Sequence, residues 1–378
     1  MSETPFASLE DHFGDMPEPR VEGRCEHRLV EIIILAICGV LCGANSWSEI
    51  EQYGRAKEQF LRQFLKLEHG IPSHDTFGRV FSLLNAQAFQ ERFARWVEQV
   101  FVVTRGQVIA IDGKMARRSA DSTIGKDAIH LVSGWASENG LLLGQRKVDD
   151  KSNEITAVPE LLHLLYVSGC IVTIDAMGCQ TDIAQTIIDQ QADYVLALKA
   201  NHGQLYHDVV DWFEWALSRD FKGIAPSYHQ TINKGHGRIE IRRCWAIADP
   251  LAFEHIRHFD GWAGLQSIVM VQRQRRLAQH SQAETVYYIS SLPADAKRLL
   301  AATRSHWSVE NTCHWTLDVI FREDDPRARL GDSAENLAVL RHVALNLLKH
   351  HPAKLSLNRK RFQAALDESF LLELLTQL

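Results

Sequence analysis

The stretch Val108-Ile-Ala-Ile-Asp112 is a short apolar run closed by an aspartate, and Cys170-Ile-Val-Thr-Ile-Asp175 repeats this pattern further along the chain. Runs of this length and composition are typical of strands buried on both faces of a sheet, and Tyr194-Val-Leu-Ala-Leu198 is a third one. Ligands of open α/β sheets bind beyond the carboxyl ends of such strands. Asp112 and Asp175 are therefore candidates for a shared site.

The chemistry expected of two such carboxylates is the binding of a divalent cation. Magnesium prefers a few carboxylates, several waters and the phosphate oxygens of a substrate. The alternative, which the sequence leaves open, is that each aspartate only caps the turn that follows its strand.

The segments around these strands give the order of the elements. Asn139-Gly140 is a strong hairpin pattern between the apolar segments 128–135 and 141–148. Helical patterns follow from Ser152 to about Val167 and over 181–190. The order strand, hairpin, helix, strand, helix, strand predicts a mixed α/β sheet with the outline of a ribonuclease H-like core.

Residues 201–290 interrupt this core. Alternating patterns at 238–247, 266–272 and 284–290 predict strands, so the segment is interpreted as a β-rich insertion, after which the chain returns to helix. The predicted organisation is a flexible lead-in at 1–25, an all-helical N-terminal domain at 26–100, and the ribonuclease H-like domain at 105–378.

The N-terminal domain shows helical periodicity from Leu29 to about Val100. Ser73 precedes His74-Asp75-Thr76-Phe77 and is predicted to cap the start of a helix. Two interpretations stay open: a DNA-binding unit in which that helix is the recognition helix, or a plain packing domain.

Composition excludes several classes of protein. The 378 residues are 46% hydrophobic and carry a formal net charge of −6, which rules out a disordered chain, a fibre and a disulfide-dominated mini-protein. No apolar run approaches the ~18 residues of a membrane span. The N-terminus lacks the basic region of a secretory signal. Seven cysteines, none in Cys-x-x-Cys spacing, are expected to be reduced thiols of a cytoplasmic protein.

Positive charge is clustered in spite of the acidic total. The clustered cations are Lys114, Arg117, Arg118 and Lys126; Lys222, Lys234, Arg238, Arg242 and Arg243; and Arg273, Arg275 and Arg276. Such clusters form either an ordinary solvated surface or a footprint for the phosphate backbone of a nucleic acid.

A third acidic candidate lies in the segment 304–318. His306, Glu310, His314 and Asp318 recur every four residues and would form one polar stripe on a continuous helix. Trp307 would lie off this stripe and pack against the sheet, as would Trp315, Val309 and Leu317. The alternatives are an exposed ladder of hydrogen bonds, and a zinc site built from the two histidines and the glutamate.

These segments together resemble the H-repeat-associated insertion-sequence transposases of the DDE superfamily. The residues that carry the resemblance are Ile111-Asp-Gly-Lys114, Ile174-Asp-Ala-Met-Gly-Cys-Gln180, Leu198-Lys-Ala-Asn201, His306-Trp-x-x-Glu-Asn311, His314-Trp-x-Leu-Asp318, Phe321-x-Glu-Asp324, Glu335-Asn-Leu-Ala338, Ala344-Leu-Asn-Leu-Leu348 and, near the N-terminus, Leu41-Cys-Gly-Ala-Asn-Ser-Trp-Ser-Glu-Ile50 and Ile71-Pro-Ser-His-Asp-Thr-Phe77. The order of these motifs is specific, and they span nearly the whole chain.

The resemblance implies a DNA transposase on a ribonuclease H-like fold. Its catalytic residues would be Asp112, Asp175 and Glu310, which would hold two Mg²⁺ ions, with Mn²⁺ as a substitute. Related transposases carry a tyrosine, an arginine and a lysine around the glutamate. Here the matching positions hold Thr303, His306 and Leu317. His306 would replace the arginine, and Arg304 and Lys199 are further candidate substitutes.

The expected activity is metal-dependent cleavage and strand transfer at the ends of an insertion sequence. The expected partner is double-stranded DNA, both element ends and target, bound by a homo-oligomer, with no membrane and no nucleotide cofactor. The protein would be cytoplasmic and associated with the nucleoid when bound to DNA. Predicted DNA contacts are Lys114, Arg117 and Arg118 near the cut, Arg238, Arg242 and Arg243 on flanking duplex, and Lys199, Arg304 and His306. The alternatives are a catalytically inactive DNA-binding remnant and a metal-dependent nuclease without strand transfer.

Overall fold

The computed structural model describes residues 7–21, 23, 25–101, 105–116, 128–148, 154–235, 237–277, 281–325 and 329–376. The strands of the described residues form one nine-stranded sheet in the order β3-β2-β1-β4-β5-β9-β8-β7-β6. Their bounds are Val108–Ala116 (β1), Ile129–Ala136 (β2), Leu141–Lys147 (β3), Ile171–Ile174 (β4), Asp193–Leu198 (β5), Ser227–Gly235 (β6), Arg238–Ile247 (β7), Ser267–Arg276 (β8) and Ser281–Ser290 (β9).

Half of this sheet has the ribonuclease H-like arrangement that the sequence predicts. β1, β2 and β3 pair antiparallel, and the hairpin turn lies at Asn139-Gly140. On the other side, β1, β4 and β5 pair parallel. The predicted order of elements is therefore confirmed. β1 is longer than predicted: it continues beyond Asp112 to Ala116, where it pairs with β2 alone.

The β-rich insertion extends the same sheet instead of forming a separate lobe. β9 pairs antiparallel with β5, and β8, β7 and β6 follow in turn. The three strands predicted here are present. β6 was not predicted, because its residues are polar and mostly exposed, as suits an edge strand. The insertion also contains α9 (Gln204–Ser218) and α10 (Pro250–His255).

Helices cover the sheet and build the N-terminal region. Before β1 lie α1 (Ala7–Phe13), α2 (Leu29–Leu41), α3 (Trp47–Ala56), α4 (Glu58–Leu61), α5 (His74–Leu83) and α6 (Ala86–Val100). The crossover helices are α7 (Glu154–Leu164) and α8 (Thr181–Asp189). The predicted start of α7 at Ser152 lies outside the described residues. Ser73 caps α5 as predicted, since its hydroxyl accepts the N–H of Thr76.

The C-terminal third is helical. It contains α11 (Ala296–His306), a π-helix at Val309–His314, α12 (Trp315–Val319), α13 (Ser333–His350), α14 (Leu357–Leu366) and α15 (Glu368–Thr376). None of the helices within the described ranges is both long and apolar enough to cross a bilayer.

The central helix of this region is α13, which joins the N-terminal helices to the sheet. Asn336 donates to the carbonyls of Phe81 and Leu84 at the end of α5, each at 2.8 Å. Nearly three turns further on, Asn346 exchanges two hydrogen bonds with the backbone of Leu142 on β3, at 3.0 and 2.8 Å. The side-chain amide of Asn346 thus satisfies backbone groups of β3, which is an edge strand of the sheet. One continuous hydrophobic core includes residues of α2, α5, α6, α13 and the sheet.

Candidate active site

The register of the parallel strands places two aspartates side by side. Ile111 on β1 pairs with Ile174, the last residue of β4; Asp112 is the next residue of β1, and Asp175 directly follows β4. Neighbouring strands lie about 4.8 Å apart, so both carboxylates leave the sheet at the same edge. The cause is the sequence itself: each apolar strand is followed at the same register by an aspartate.

The third acid, Glu310, lies on the π-helix, which contacts β1. The amide of Trp315 donates to the carbonyl of Glu310, five residues back, so the segment is not the continuous α-helix that a four-residue stripe requires. The predicted packing is wrong for the two tryptophans: Trp307 is 41% and Trp315 54% exposed, whereas Val309 and Leu317 are buried as predicted. A π-turn of this kind inside a helical segment is frequent at functional sites.

Electrostatics link the three acids. Burial raises the pKa of Asp112 to about 7, and the negative charges of Glu310 and Asp175 add to the rise, while the N–H of Gly113 opposes it. One oxygen of Asp175 accepts the amide of Met177 at 2.9 Å, so this aspartate also caps a turn. Among the described residues, no lysine or arginine forms an ion pair with Asp112, Asp175 or Glu310. Within the described ranges, the repulsion among these three acids is therefore not relieved by the charge of a lysine or arginine.

Two histidines hold the Glu310 segment against the sheet. The ring of His306 is hydrogen-bonded to the hydroxyl of Thr173 on β4 at 3.0 Å, and Nδ1 of His314 lies 3.5 Å from a carboxylate oxygen of Asp112. Burial lowers the pKa of His306 to about 4, and that of His314 also to about 4. Both rings are neutral at pH 7. His306 therefore does not carry the positive charge that a replacement for the family arginine would need.

A fourth carboxylate, Glu154, was missed by the sequence analysis. It begins α7 and lies 2.8 Å from Nε2 of His130 on β2. A Cβ atom added to Gly113 would stand 2.1 Å from a Glu154 oxygen and 2.6 Å from His130, so this pair lies against the backbone just after Asp112. Burial raises the pKa of Glu154; the charge of His130 lowers it, and that of Asp175 raises it. Only the long-range pairing of β1 with β2 reveals this neighbourhood.

The carboxylates of this site are of the chemical type that binds a divalent cation. They are hard oxygen donors whose repulsion a cation would relieve. Within the part of the chain that the structure describes, no group of three or more His, Cys, Asp or Glu side chains is placed so that it could hold a metal ion. The zinc site considered from the sequence is not formed by His306, Glu310 and His314, because the two rings contact Thr173 and Asp112.

Comparison with known protein families decides the class. A model described as "Transposase DDE domain" matches residues 103–347, and one described as "DDE_Tnp_1-associated" matches residues 10–97. The chain belongs to the DDE transposase family. The first match contains the sheet, both aspartates and Glu310, so the edge described above lies within the family's DDE domain.

Two relatives from Escherichia coli match nearly the whole chain. "Putative transposase YncI" of strain O157:H7 is 40% identical over 372 residues, which cover 97% of this chain and 94% of that protein. "H repeat-associated putative transposase YhhI" of strain K12 is 38% identical over 372 residues, 97% of each chain. The resemblance to H-repeat-associated transposases is thus confirmed.

A solved structure of another transposase aligns with less similarity. The piggyBac transposase synaptic complex with hairpin DNA covers 98% of this chain and 78% of that chain, with a TM-score of 0.43 and 12% identity. The ribonuclease H-like fold of this chain is defined by its strand order and pairing.

The basic residues that the sequence predicts to contact DNA differ in their exposure and in their partners. Lys114 is half-buried, and its ammonium is bound between the carboxylates of Asp318 and Glu323. Arg117 and Arg118 lie outside the described residues. Lys199 is exposed and directly follows β5, at the same edge of the sheet as Asp175.

Strand alternation separates the arginines of β7. Arg238 and Arg242 share one face, and Arg243, one residue on, points to the other face, where it donates to Gln230 at 3.0 Å. Arg304, on α11, joins the first two in lining a cavity of about 560 Å³. Two further arginines of the same cavity, Arg273 and Arg275, are on β8; the sequence showed them as a charge cluster but did not assign them to the site.

Proposed function

We propose that this chain cleaves DNA at the ends of its insertion sequence and joins those ends to target DNA in a divalent-metal-dependent reaction. Membership of the DDE transposase family supports the class of reaction. The observations that support the assignment of residues are the register of β1 and β4, which places Asp112 beside Asp175, and the contact of the Glu310 segment with β1. Three acids that repel one another at a sheet edge are the arrangement that phosphoryl transfer with metal ions needs.

The proposed ligands are Asp112, Asp175 and Glu310, for two Mg²⁺ ions that Mn²⁺ can replace. When bound, these ions supply Lewis-acid stabilisation of the charge that develops on the phosphate. Asp112 would present its carboxylate to the ions from β1, which lies between β2 and β4 in the sheet. Nδ1 of His314 lies 3.5 Å from the Asp112 carboxylate, and the bond of His306 to Thr173 would fix the helical segment that presents Glu310.

The proposed DNA-binding residues are those that the sequence identified and the structure leaves accessible. Arg238, Arg242 and Arg304 line one cavity beside Trp307 and Asn311, which flank Glu310 in the sequence. Lys199 would contact the backbone at the aspartate edge. Lys114 is left out of this set, because its charge is neutralised by two carboxylates. Joining two element ends requires both in one complex, so a homo-oligomer on DNA, held at the nucleoid, is part of the proposal.

The experiment combines purified protein with Mg²⁺ or Mn²⁺ and duplexes that carry the terminal repeats of the element. Wild-type protein is expected to nick the ends and to join them to a target plasmid. Asp112→Asn, Asp175→Asn and Glu310→Gln should each abolish both steps while DNA binding is retained. Asp189→Asn, an exposed aspartate at the end of α8, is the matched control and should leave both steps unchanged.

The alternative functions correspond to separate outcomes. DNA binding without cleavage in either metal would identify an inactive DNA-binding remnant. Cleavage whose products never join would identify a nuclease without strand transfer. Undiminished cleavage by Asp112→Asn would reject the assigned site.

A further inference from the structure

The cavity of about 560 Å³ beside the Glu310 segment has an unusual lining. Its walls come from β7, β8, α11 and the turn before the π-helix. We call it the arginine cavity, and it is lined by Arg238, Glu240, Arg242, Arg273, Arg275, Leu300, Thr303, Arg304, Trp307, Ser308 and Asn311. Five of these side chains are guanidinium groups and one is a carboxylate. A net positive concavity of this kind attracts polyanions.

Glu240 is the single acid of the arginine cavity, and it is bound by the arginines around it. Its carboxylate lies 2.7 Å from Nε of Arg238 and is also hydrogen-bonded to Arg242. On the neighbouring strand, Arg275 occupies the position directly opposite Glu240. The Glu240 side chain is 21% exposed, so solvent and ligands can reach this cluster.

The two remaining arginines are not bound by Glu240. Arg273 lies over the ring of Trp307, with 5.0 Å from the guanidinium carbon to the ring centroid, and donates to the hydroxyl of Tyr288 at 3.0 Å. Nη1 of Arg304 lies 3.5 Å from the amide oxygen of Asn233. Glu240 thus binds two of the five arginines, and the five guanidinium groups together could hold several anionic oxygens.

We infer that the arginine cavity binds the phosphodiester backbone of DNA, and that the Glu240 carboxylate occupies a phosphate position when DNA is absent. Guanidinium groups bind carboxylate and phosphate with the same two-pronged geometry, so one group can replace the other. This inference rests on the proposed function, because it takes the DNA of the transposition reaction as the ligand. A strand in the cavity would run past Trp307 and Asn311 towards Glu310.

Displacement of Glu240 by DNA phosphates would make the arginine cavity selective among DNA segments. A DNA segment must supply enough phosphate contacts to displace Glu240 from Arg238 and Arg242 before it gains their full binding energy. A segment that touches only the rim of the cavity cannot do so. Glu240 therefore lowers the affinity for arbitrary DNA, which is the role of a repulsive charge in specific recognition.

The test measures DNA binding by fluorescence anisotropy in EDTA, with labelled duplexes that carry the element ends, so that it does not depend on catalysis. Glu240→Gln is expected to bind at least about threefold more tightly than wild type. Glu240→Asp, which keeps the charge, should remain close to wild type. Glu254→Gln, the same change at an exposed glutamate on α10, is the matched control and should change nothing.

The arginines are tested by the salt dependence of the same binding. Arg273→Gln and Arg275→Gln should each weaken binding and flatten the slope of log affinity against log salt by about one unit. Arg219→Gln, an arginine at the end of α9 outside the cavity, should leave the slope unchanged. Thermal unfolding of every variant confirms that the compared proteins are folded.

Two results overturn the inference while the proposed function stands. Unchanged or weaker binding by Glu240→Gln would show that its carboxylate does not compete with phosphate. Unchanged salt slopes in both arginine variants would show that DNA does not enter the cavity. Failure of the proposed function is a separate outcome, in which wild-type protein binds element ends but never cuts them.

Discussion

The ring of His306 is hydrogen-bonded to the hydroxyl of Thr173 at 3.0 Å, and this bond joins two parts of the candidate site. Thr173 lies two residues before Asp175 on β4, and His306 ends α11, four residues before Glu310. The distance between Asp175 and Glu310 therefore depends on a contact between buried Thr173 and half-buried His306, neither of which is an acid.

Thr173→Val should destabilise the protein by about 1–3 kcal/mol, because it keeps the shape of the side chain but leaves a ring nitrogen of half-buried His306 without the Thr173 hydroxyl. Urea unfolding measures the change. Thr186→Val is the control, since the Thr186 hydroxyl bonds only within α8. Equal stability of Thr173→Val and wild type would show that the hydrogen bond does not hold the segment.

Acid should destabilise the protein through its buried histidines. The pKa of His306 and that of His342 are each lowered to about 4 by burial, against an ordinary value of 6.5. The unfolded chain therefore binds these protons at higher pH than the folded chain, and stability is lost as the pH falls from about 6.5 towards 4. Each histidine contributes up to about 3 kcal/mol to this loss.

Denaturant unfolding at a series of pH values tests this expectation. Between pH 7 and pH 4, the free energy of unfolding should fall less in His306→Gln than in wild type. The difference should be most of the ~3 kcal/mol that one histidine contributes. The slope is compared, and not the absolute stability, because the variant also loses the bond to Thr173. A parallel pH dependence in the two proteins would contradict the lowered pKa.

Lys114→Met should cost about 3 kcal/mol of stability, because it leaves the buried carboxylate of Glu323 without its lysine. Lys199→Met, at an exposed lysine, should change stability by less than about 0.5 kcal/mol. Urea unfolding gives both values. If instead Lys114→Met kept full stability and flattened the salt dependence of DNA binding, Lys114 would be the backbone contact that the sequence suggested.

Asn346→Ala should destabilise the protein by about 1–3 kcal/mol, because the backbone N–H and C=O of Leu142 on β3 both lose their partner. Hydrogen exchange should show faster opening at Leu142, and the N–H of Val132 on β2 should keep its protection. Unchanged exchange at Leu142 would mean that the end of the sheet does not depend on α13.

The sequence predicts the ribonuclease H-like half of the sheet because each buried strand is a continuous apolar run bounded by turn residues. Asp112 and Asp175 could be predicted as site residues for the same reason, since ligands of open α/β sheets bind beyond the carboxyl ends of such strands. Edge strand β6 lacks that pattern: its polar residues face solvent, so neither composition nor periodicity distinguishes it from a loop.

Other features of the site depend on relationships that periodicity does not encode. The π-helix adds a residue to one turn, which breaks the four-residue stripe of His306, Glu310, His314 and Asp318 and exposes Trp307 and Trp315. Glu154 reaches the site only because β2 returns beside β1 and carries His130. The motif asparagines of α13 acquire their role from contacts with α5 and β3, more than two hundred residues away.

The central claim is that Asp112, Asp175 and Glu310 form one metal site, and the most direct test is a calorimetric titration of the DNA-free protein with Mn²⁺. Wild-type protein should bind the ion, and Asp112→Asn, Asp175→Asn and Glu310→Gln should each lower the affinity at least about tenfold. Asp189→Asn should bind as wild type does. Mn²⁺ binding of equal affinity in wild type and all three variants would contradict the claim.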